Sequence, residues 1–228
     1  MKVAIHQPDY IPWPGYFYKI AKSDIFILLD DVQFSSGAGH NRRNIKTPQG
    51  LQRIQIPVSY NHGENINQVI MRDDLNWKSK HLRSLEMNYK KAKYFDDVFG
   101  FFEGIIKNMQ DDNLAALNSK LIIEISKKLG FATKFETSSK LDVNTIREER
   151  IIDLVKKVGG TEYLSGQGAK AYQTEDNFTT AGLKLSYSDF KPRVYSQLWG
   201  GFEFNVTVLD YFFNHGFNWN DYIEYPEI

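Results

Sequence analysis

The chain opens on a short apolar run, Val3-Ala4-Ile5, that meets polar residues at once in His6-Gln7-Pro8, the pattern of a buried parallel strand whose end faces a site. Pro8, Pro12, Pro14 and Gly15 interrupt regular structure until Tyr16 to Ala21 turns as a helix. Ile25 to Leu29 is a second branched, apolar run, and it stops at Asp30-Asp31. Ligands of open α/β sheets sit beyond the carboxyl ends of the strands, so both polar clusters are expected at one crevice. Gln52 to Val58 alternates polar and apolar residues as a half-exposed third strand, Tyr60 to Asn65 is turn chemistry, and Asn67 to Met71 adds a short strand. From Trp77 to Gly130 apolar residues recur at three- and four-residue spacings, which predicts helices throughout. Phe131 to Phe135 then reads as a strand, Thr145 to Val158 as a helix stopped by Gly159-Gly160, and Tyr163 to Ser165 as a very short strand entering a glycine loop. Leu183 to Phe190 alternates again, and Asn205 to Asn214 forms a last helix ended by His215-Gly216. The pattern predicts an α/β fold: a Rossmann-like, mostly parallel sheet in one domain, residues 1–228, with a helical insertion at about 76–130.

Composition narrows the classes. Lysine and arginine number 28, as do aspartate and glutamate, so no net field draws the chain to nucleic acid or an anionic membrane. An extended nucleic-acid surface is therefore not expected. With no cysteine there is no thiol nucleophile, disulfide or thiolate metal site. No stretch of about 18 apolar residues and no signal-peptide pattern occurs, which predicts a cytoplasmic protein without a transmembrane segment. Aromatics reach 14%, and several lie in proline- or glycine-rich loops, where they line pockets or cover a core.

Candidate chemistry follows from position. His6 and Gln7, where a strand meets a loop, suit an acid/base or substrate-positioning pair, or else a tie for the proline-rich turn. Asp30 and Asp31 cannot face one substrate together, because adjacent strand residues point to opposite faces. One is expected to reach the crevice, and the other to cap a turn or meet Arg42 or Arg43. The segment Asn41-Arg42-Arg43-Asn44-Ile45-Lys46 carries three cations and two amides after a loop with Gly37 and Gly39, which suits a small anion such as a nucleotide or sugar phosphate, or a solvated basic strand edge. Ser165-Gly166-Gln167-Gly168 presents backbone amides to a phosphate or oxyanion, but it is neither a GxGxxG nor a Walker loop. Tyr195 to Phe202, with Gln197 at its polar centre, either closes over a ligand or covers the core. The five histidines form no HxH, HxxxH or HExxH pair, so no metal site is expected.

Together these segments resemble the WbqC-like family of bacterial proteins. The resemblance is carried by His6-Gln7-Pro8-Asp9-Tyr10-Ile11-Pro12-Trp13, Gly15-Tyr16-Phe17 with Lys19-Ile20, Ser23-Asp24 and Leu29-Asp30-Asp31-Val32-Gln33-Phe34. It continues in Asn41-Arg42 with Ile45-Lys46, Tyr163-Leu164-Ser165-Gly166, Gln197 with Phe202, and Leu209-Asp210 to Asn214-His215-Gly216. One departure is Gly37-Ala38-Gly39-His40, where the family pattern implies an aromatic shortly before the Asn-Arg pair. The resemblance implies genes among those for O-antigen and other surface polysaccharides, and glycyl or aminoacyl transfer to a sugar. It would place Gln7, Tyr10, Trp13, Gln33, Asn41, Arg42, Arg43, Lys46, Ser165, Gly166 and Gln197 around the substrate. His6, Asp30 or Asp31 would act on the amine of a nucleotide-linked amino sugar, and an aminoacyl donor would be the second partner. A non-catalytic module binding a nucleotide sugar or a protein of the same pathway is the alternative. In layout the chain is also similar to Rossmann-like nucleotidylyltransferases, with Trp13-Pro14-Gly15-Tyr16 standing where their His-x-Gly-His turn lies; that chemistry would require Mg and a nucleoside triphosphate.

Overall fold

The computed structural model describes residues 1–224 and 227. The first strand, β1 (Lys2–His6), leads through the proline-rich turn into α1 (Pro14–Ala21) and back to β2 (Ile25–Leu28), which lies parallel to β1 with Val3 opposite Ile25 and His6 opposite Leu28. Pro14 opens α1, where its missing N–H is no loss and its fixed φ suits a helix. The basic segment then forms β3 (Arg42–Thr47), paired antiparallel with β4 (Gly50–Gln55). The third expected strand thus lies in a two-stranded hairpin separate from the main sheet, closed by Gly50 at φ 104°. A second small antiparallel pair, β5 (Val58–Ser59) with β6 (Ile70–Met71), follows.

Three helices come next, α2 (Trp77–Tyr89), α3 (Phe95–Lys107) and α4 (Leu114–Lys128), as the periodicity predicts. Asn113 caps α4 by accepting from the Ala116 N–H. Beyond it β7 (Lys134–Thr137) starts three residues later than the apolar run indicates, since Gly130 turns the chain at φ 75° and Phe131 packs edge-on against Trp219. The remainder is α5 (Arg147–Lys157), β8 (Glu162–Ser165), the short α6 (Glu175–Thr180), β9 (Lys184–Tyr187), α7 (Val208–His215) and α8 (Trp219–Glu224).

The five main strands are all parallel and stand in the order β7-β2-β1-β8-β9. Counted by appearance within the sheet, that order is 3-2-1-4-5, the Rossmann arrangement. Alternation divides the strands between two apolar layers. Ala4, Phe26, Leu28 and Leu164 join one core with α1, α2, α3, α4, α7 and the hairpin. Val3, Ile5, Ile25, Ile27 and Tyr163 join the other with Leu154 and Val155 of α5 and Phe178 of α6. Burial of both faces is why β1 and β2 read as unbroken apolar runs.

The turn after β1 is held by distant parts of the chain. Asn118 of α4, 0% exposed, donates through Nδ2 to Pro8 O at 2.9 Å and to His40 O at 2.7 Å. Ile11 takes φ 39°, a region that β-branched residues rarely enter. Its carbonyl accepts from Thr207 Oγ1 at 2.8 Å, and Pro12 O accepts from Val208 N at 3.0 Å. An Asn118→Ala chain leaves two buried carbonyls without this donor. It should lose about 1–3 kcal/mol, seen as a lower urea midpoint at unchanged m value; an unchanged midpoint would show that the turn does not depend on α4.

Candidate functional site

Between β1 and β8 the strand order reverses, and the chain leaves the two strand ends in opposite directions. A cavity of about 420 Å³ opens there, lined by His6 and Ile5 of β1, Tyr16 and Lys19 of α1, and Ser165 of β8, with Phe190 and the Gly166–Ala169 segment at its mouth. Trp13, 43% exposed, forms one wall. A Cβ on Gly15 would overlap the Trp13 indole, so glycine there lets the ring lie flat against the start of α1.

Within the cavity the polar groups are fixed by the turn. Tyr16 OH donates to Gln7 O at 2.9 Å, and His6 Nδ1–H donates to the same carbonyl at 3.1 Å. Burial and the Lys19 charge push the imidazole down to about 4, so it is neutral with a bare Nε2. The Lys19 amine, 4% exposed, donates to Ile5 O at 2.9 Å. Burial lowers it to about 7, against the opposing pull of the Asp9 charge. Ser165 is 0% exposed. The Tyr163 hydroxyl neighbours Ser165 and Gln173, yet neither Ser165 Oγ nor Gln173 Oε1 has a partner in hydrogen-bond geometry among the described residues.

Across Trp13 lies a second recess of about 240 Å³, lined by Arg42, Arg43 and Arg53 and the backbone of Gly37 to Gly39. Arg43 forms a short ion pair with Asp9. Arg42 donates to Gly37 O at 2.6 Å, and neither it nor Arg53 has a carboxylate partner among the described residues. The recess therefore carries uncompensated positive charge, which suits an anion. Gly39 approaches the Arg43 guanidinium so closely that a Cβ would overlap it. Trp13 also bounds an aromatic slot of about 270 Å³ with Phe190, Tyr195, Phe202, Phe204 and Tyr222.

Of the residues singled out in the sequence, His6, Trp13, Ser165 and Gly166 thus meet at the cavity, and Arg42 and Arg43 at the recess. Gln7 Oε1 accepts from His40 Nε2–H at 3.0 Å, the His40 tautomer being set by Ser35 N–H donating to Nδ1. Asn41 is buried and donates to Ile56 O at 2.8 Å. Tyr10 lies beneath the turn, its hydroxyl 2.9 Å from His81 Nδ1. Gln33 is exposed and bridges Asn65. Lys46 and Gln197 meet each other at 3.1 Å, and Lys46 Nζ also donates to the carbonyls of Gly200 and Gly201. Residues 199–201 all have positive φ and so turn these carbonyls toward the amine. The loop is further held by Trp199 Nε1–H on Asn88 O at 3.0 Å.

Asp30 and Asp31 lie beyond β2, outside the cavity lining. Asp30 accepts from Ser139 N–H at 3.1 Å and Ser139 Oγ at 2.8 Å. Asp31 pairs with Arg150 of α5 rather than with Arg42 or Arg43. The sequence reading assigned no role to Lys19 or Arg53. Lys19 stands three residues after Tyr16, so helical spacing alone puts this cation on the buried side of α1. Among the described residues no group of three His, Asp or Glu side chains converges as metal ligands, and no helix is long and apolar enough to cross a membrane.

A parallel sheet in Rossmann order defines an α/β protein, and its cavity lies at the switch point, where open α/β sheets place their ligands. The chain belongs to the WbqC-like protein family, which it matches over residues 7–222. It is 38% identical over 227 residues to the uncharacterized protein Rv1507c of Mycobacterium tuberculosis, an alignment covering 98% of each chain. No solved structure matches it.

The depressed histidines make acid stability a direct check on the site. His6 and His81 are both pushed down to about 4, chiefly by burial, and His40 is lowered as well. Unfolded, each binds a proton near pH 6.5, so between pH 6.5 and 4 the unfolded state holds more protons and stability falls as pH falls. Each contributes a slope of up to about 1.4 kcal/mol per pH unit. Urea midpoints measured from pH 7 to 4.5 should fall steadily, and His81→Leu should flatten the fall by one histidine's share.

Proposed function

We propose that the protein is a transferase that moves an aminoacyl group, glycyl among them, onto the amine of a sugar carrying a phosphate or nucleotide handle. The observation that carries this reading is the single wall, Trp13, shared by an arginine-lined recess and a cavity holding the neutral His6 imidazole. In this reading Arg42 and Arg53, with the paired Arg43, take the phosphates. The aromatic slot beside Trp13 takes a flat base, and the sugar turns into the cavity. His6 Nε2 accepts a hydrogen bond from the amine and aims its lone pair at the donor carbonyl. Nitrogen bonds to the carbonyl carbon, the bond to the leaving group breaks with its electron pair, and the proton shed by nitrogen passes by way of His6 to the departing group. In this reading backbone amides at Ser165-Gly166 meet the carbonyl oxygen as it gathers charge.

Asp30 and Asp31 are assigned here to shaping the edge of the crevice, since both carboxylates are engaged by Ser138, Ser139 and Arg150. Membership of the family and its implied link to O-antigen support a place in cytoplasmic assembly of surface polysaccharide.

A thermal-shift panel of UDP-, dTDP- and GDP-sugars tests the handle. Binding at 100 times Kd adds about 2.7 kcal/mol, a rise of roughly 5–10 °C for a chain of this size. Arg42→Ala and Arg53→Ala should each weaken binding about tenfold, whereas His6→Gln should keep binding and lower turnover at least about a hundredfold. Nucleotide-sugar binding that ignores both arginine changes would overturn the assignment of the recess. Tight binding with no turnover for any aminoacyl donor would favour a recognition module instead.

A further inference from the structure

Lys19 is a buried cation without a counter-ion. Its amine donates to a backbone carbonyl, Ile5 O at 2.9 Å, and lies 5.7 Å from the centre of the Phe26 ring. No carboxylate stands within ion-pair distance of it among the described residues. Lysines are almost never fully buried unless paired, because desolvating the ammonium is costly. The amine satisfies the Ile5 carbonyl, which lies beyond the last β1–β8 pair, but a neutral donor would do that without the cost of desolvating a charge. The amine also lines the 420 Å³ cavity together with Ser165 of β8 and His6 of β1. Ser165 Oγ is buried beside the Tyr163 hydroxyl with no partner in hydrogen-bond geometry among the described residues, and His6 holds its proton on Nδ1 against Gln7 O, leaving Nε2 bare. A nucleophile, a hydroxyl and an acceptor thus line one cavity.

We infer that Lys19 is a nucleophilic amine that captures a small polyhydroxylated aldehyde or ketone in this cavity as an imine. The Nζ lone pair bonds to the carbonyl carbon, and the displaced π electrons settle on oxygen, which Ser165 Oγ–H steadies by hydrogen bonding. The carbon–oxygen bond then breaks as the nitrogen–carbon double bond forms. Oxygen leaves as water, having received the two protons of the amine, so no oxidant or reductant is required. His6 Nε2 accepts from a ligand hydroxyl and fixes its orientation. Burial favours the uncharged amine that this addition needs, lowering Lys19 to about 7. A role as proton relay fits less well, because the group that Lys19 touches is a carbonyl oxygen, which cannot pass a proton on. The inference does not rest on the transferase reading and can fail without it.

Reductive trapping decides the matter. The intact chain is incubated with D-glyceraldehyde and sodium cyanoborohydride from pH 6 to 9, and the modified lysines are located by peptide mass spectrometry. Lys19 should label at least tenfold faster than the other lysines at pH 7, with half-maximal labelling near pH 7 rather than near pH 10. Ser165→Ala should slow labelling of Lys19 while leaving the surface lysines unchanged. Lys19→Met should abolish that labelled peptide while the surface lysines label as before. Labelling spread over surface lysines with Lys19 unmodified in the wild-type chain would overturn the inference.

Discussion

Strand β1 hydrogen-bonds in parallel to β2 along one edge and to β8 along the other, and the rest of the architecture depends on how this central strand is allowed to end. β2 pairs with it as far as His6, whereas β8 pairs with it only as far as Ala4, and the Ile5 carbonyl is met by Lys19. From there α1 departs over one face, and the segment after β8 departs separately, so nothing fills the gap between the two exits except side chains. A void at the middle of a parallel sheet is thus a consequence of topology, and residue choice decides only what lines it.

Its lining is mostly apolar surface with a few polar groups, His6, Lys19 and Ser165 among them. The floor of the turn is a set of groups each satisfied by one specific partner: Gln7 by His40, Asp9 by Arg43, the Pro8 carbonyl by Asn118. Buried polar groups of this kind are destabilising when mispaired, so they permit one arrangement of the turn and penalise others. The rigid floor contrasts with Ser165, which has no partner in hydrogen-bond geometry among the described residues, and with Lys19, which meets only a backbone carbonyl. Stability is drawn from the first set, and the proposed chemistry draws on the second.

How much of this was legible in the sequence depended on the length over which a pattern could repeat. The apolar runs at Val3–Ile5 and Ile25–Leu28 and the periodic stretch from Trp77 to Lys128 fell where expected, because many residues vote for each element. The hairpin placement did not, since Gln52 to Val58 alternates equally well in a main sheet or in a two-stranded ribbon. Helix α6, Glu175–Thr180, passed unseen because only Phe178 in it is buried. At the site, His6 and Arg42 were legible from their positions at a strand end and after a glycine loop. Lys19 was passed over, although its spacing from Tyr16 put it on the buried side of α1, because a lysine is ordinarily solvent-facing. Ser138 and Arg150, which engage Asp30 and Asp31, lie more than a hundred residues away and could not have been named from spacing.

The carbonyls of Ile11 and Pro12 are held by Thr207 and Val208, and Thr207 N–H reaches back to Asn44. The backbone that carries His6 and Trp13 to the cavity is therefore fixed by a hydroxyl 196 residues further along the chain from Ile11. Neither Thr207 nor any residue of α7 lines the cavity, so its shape is coupled to a part of the chain that takes no part in the lining.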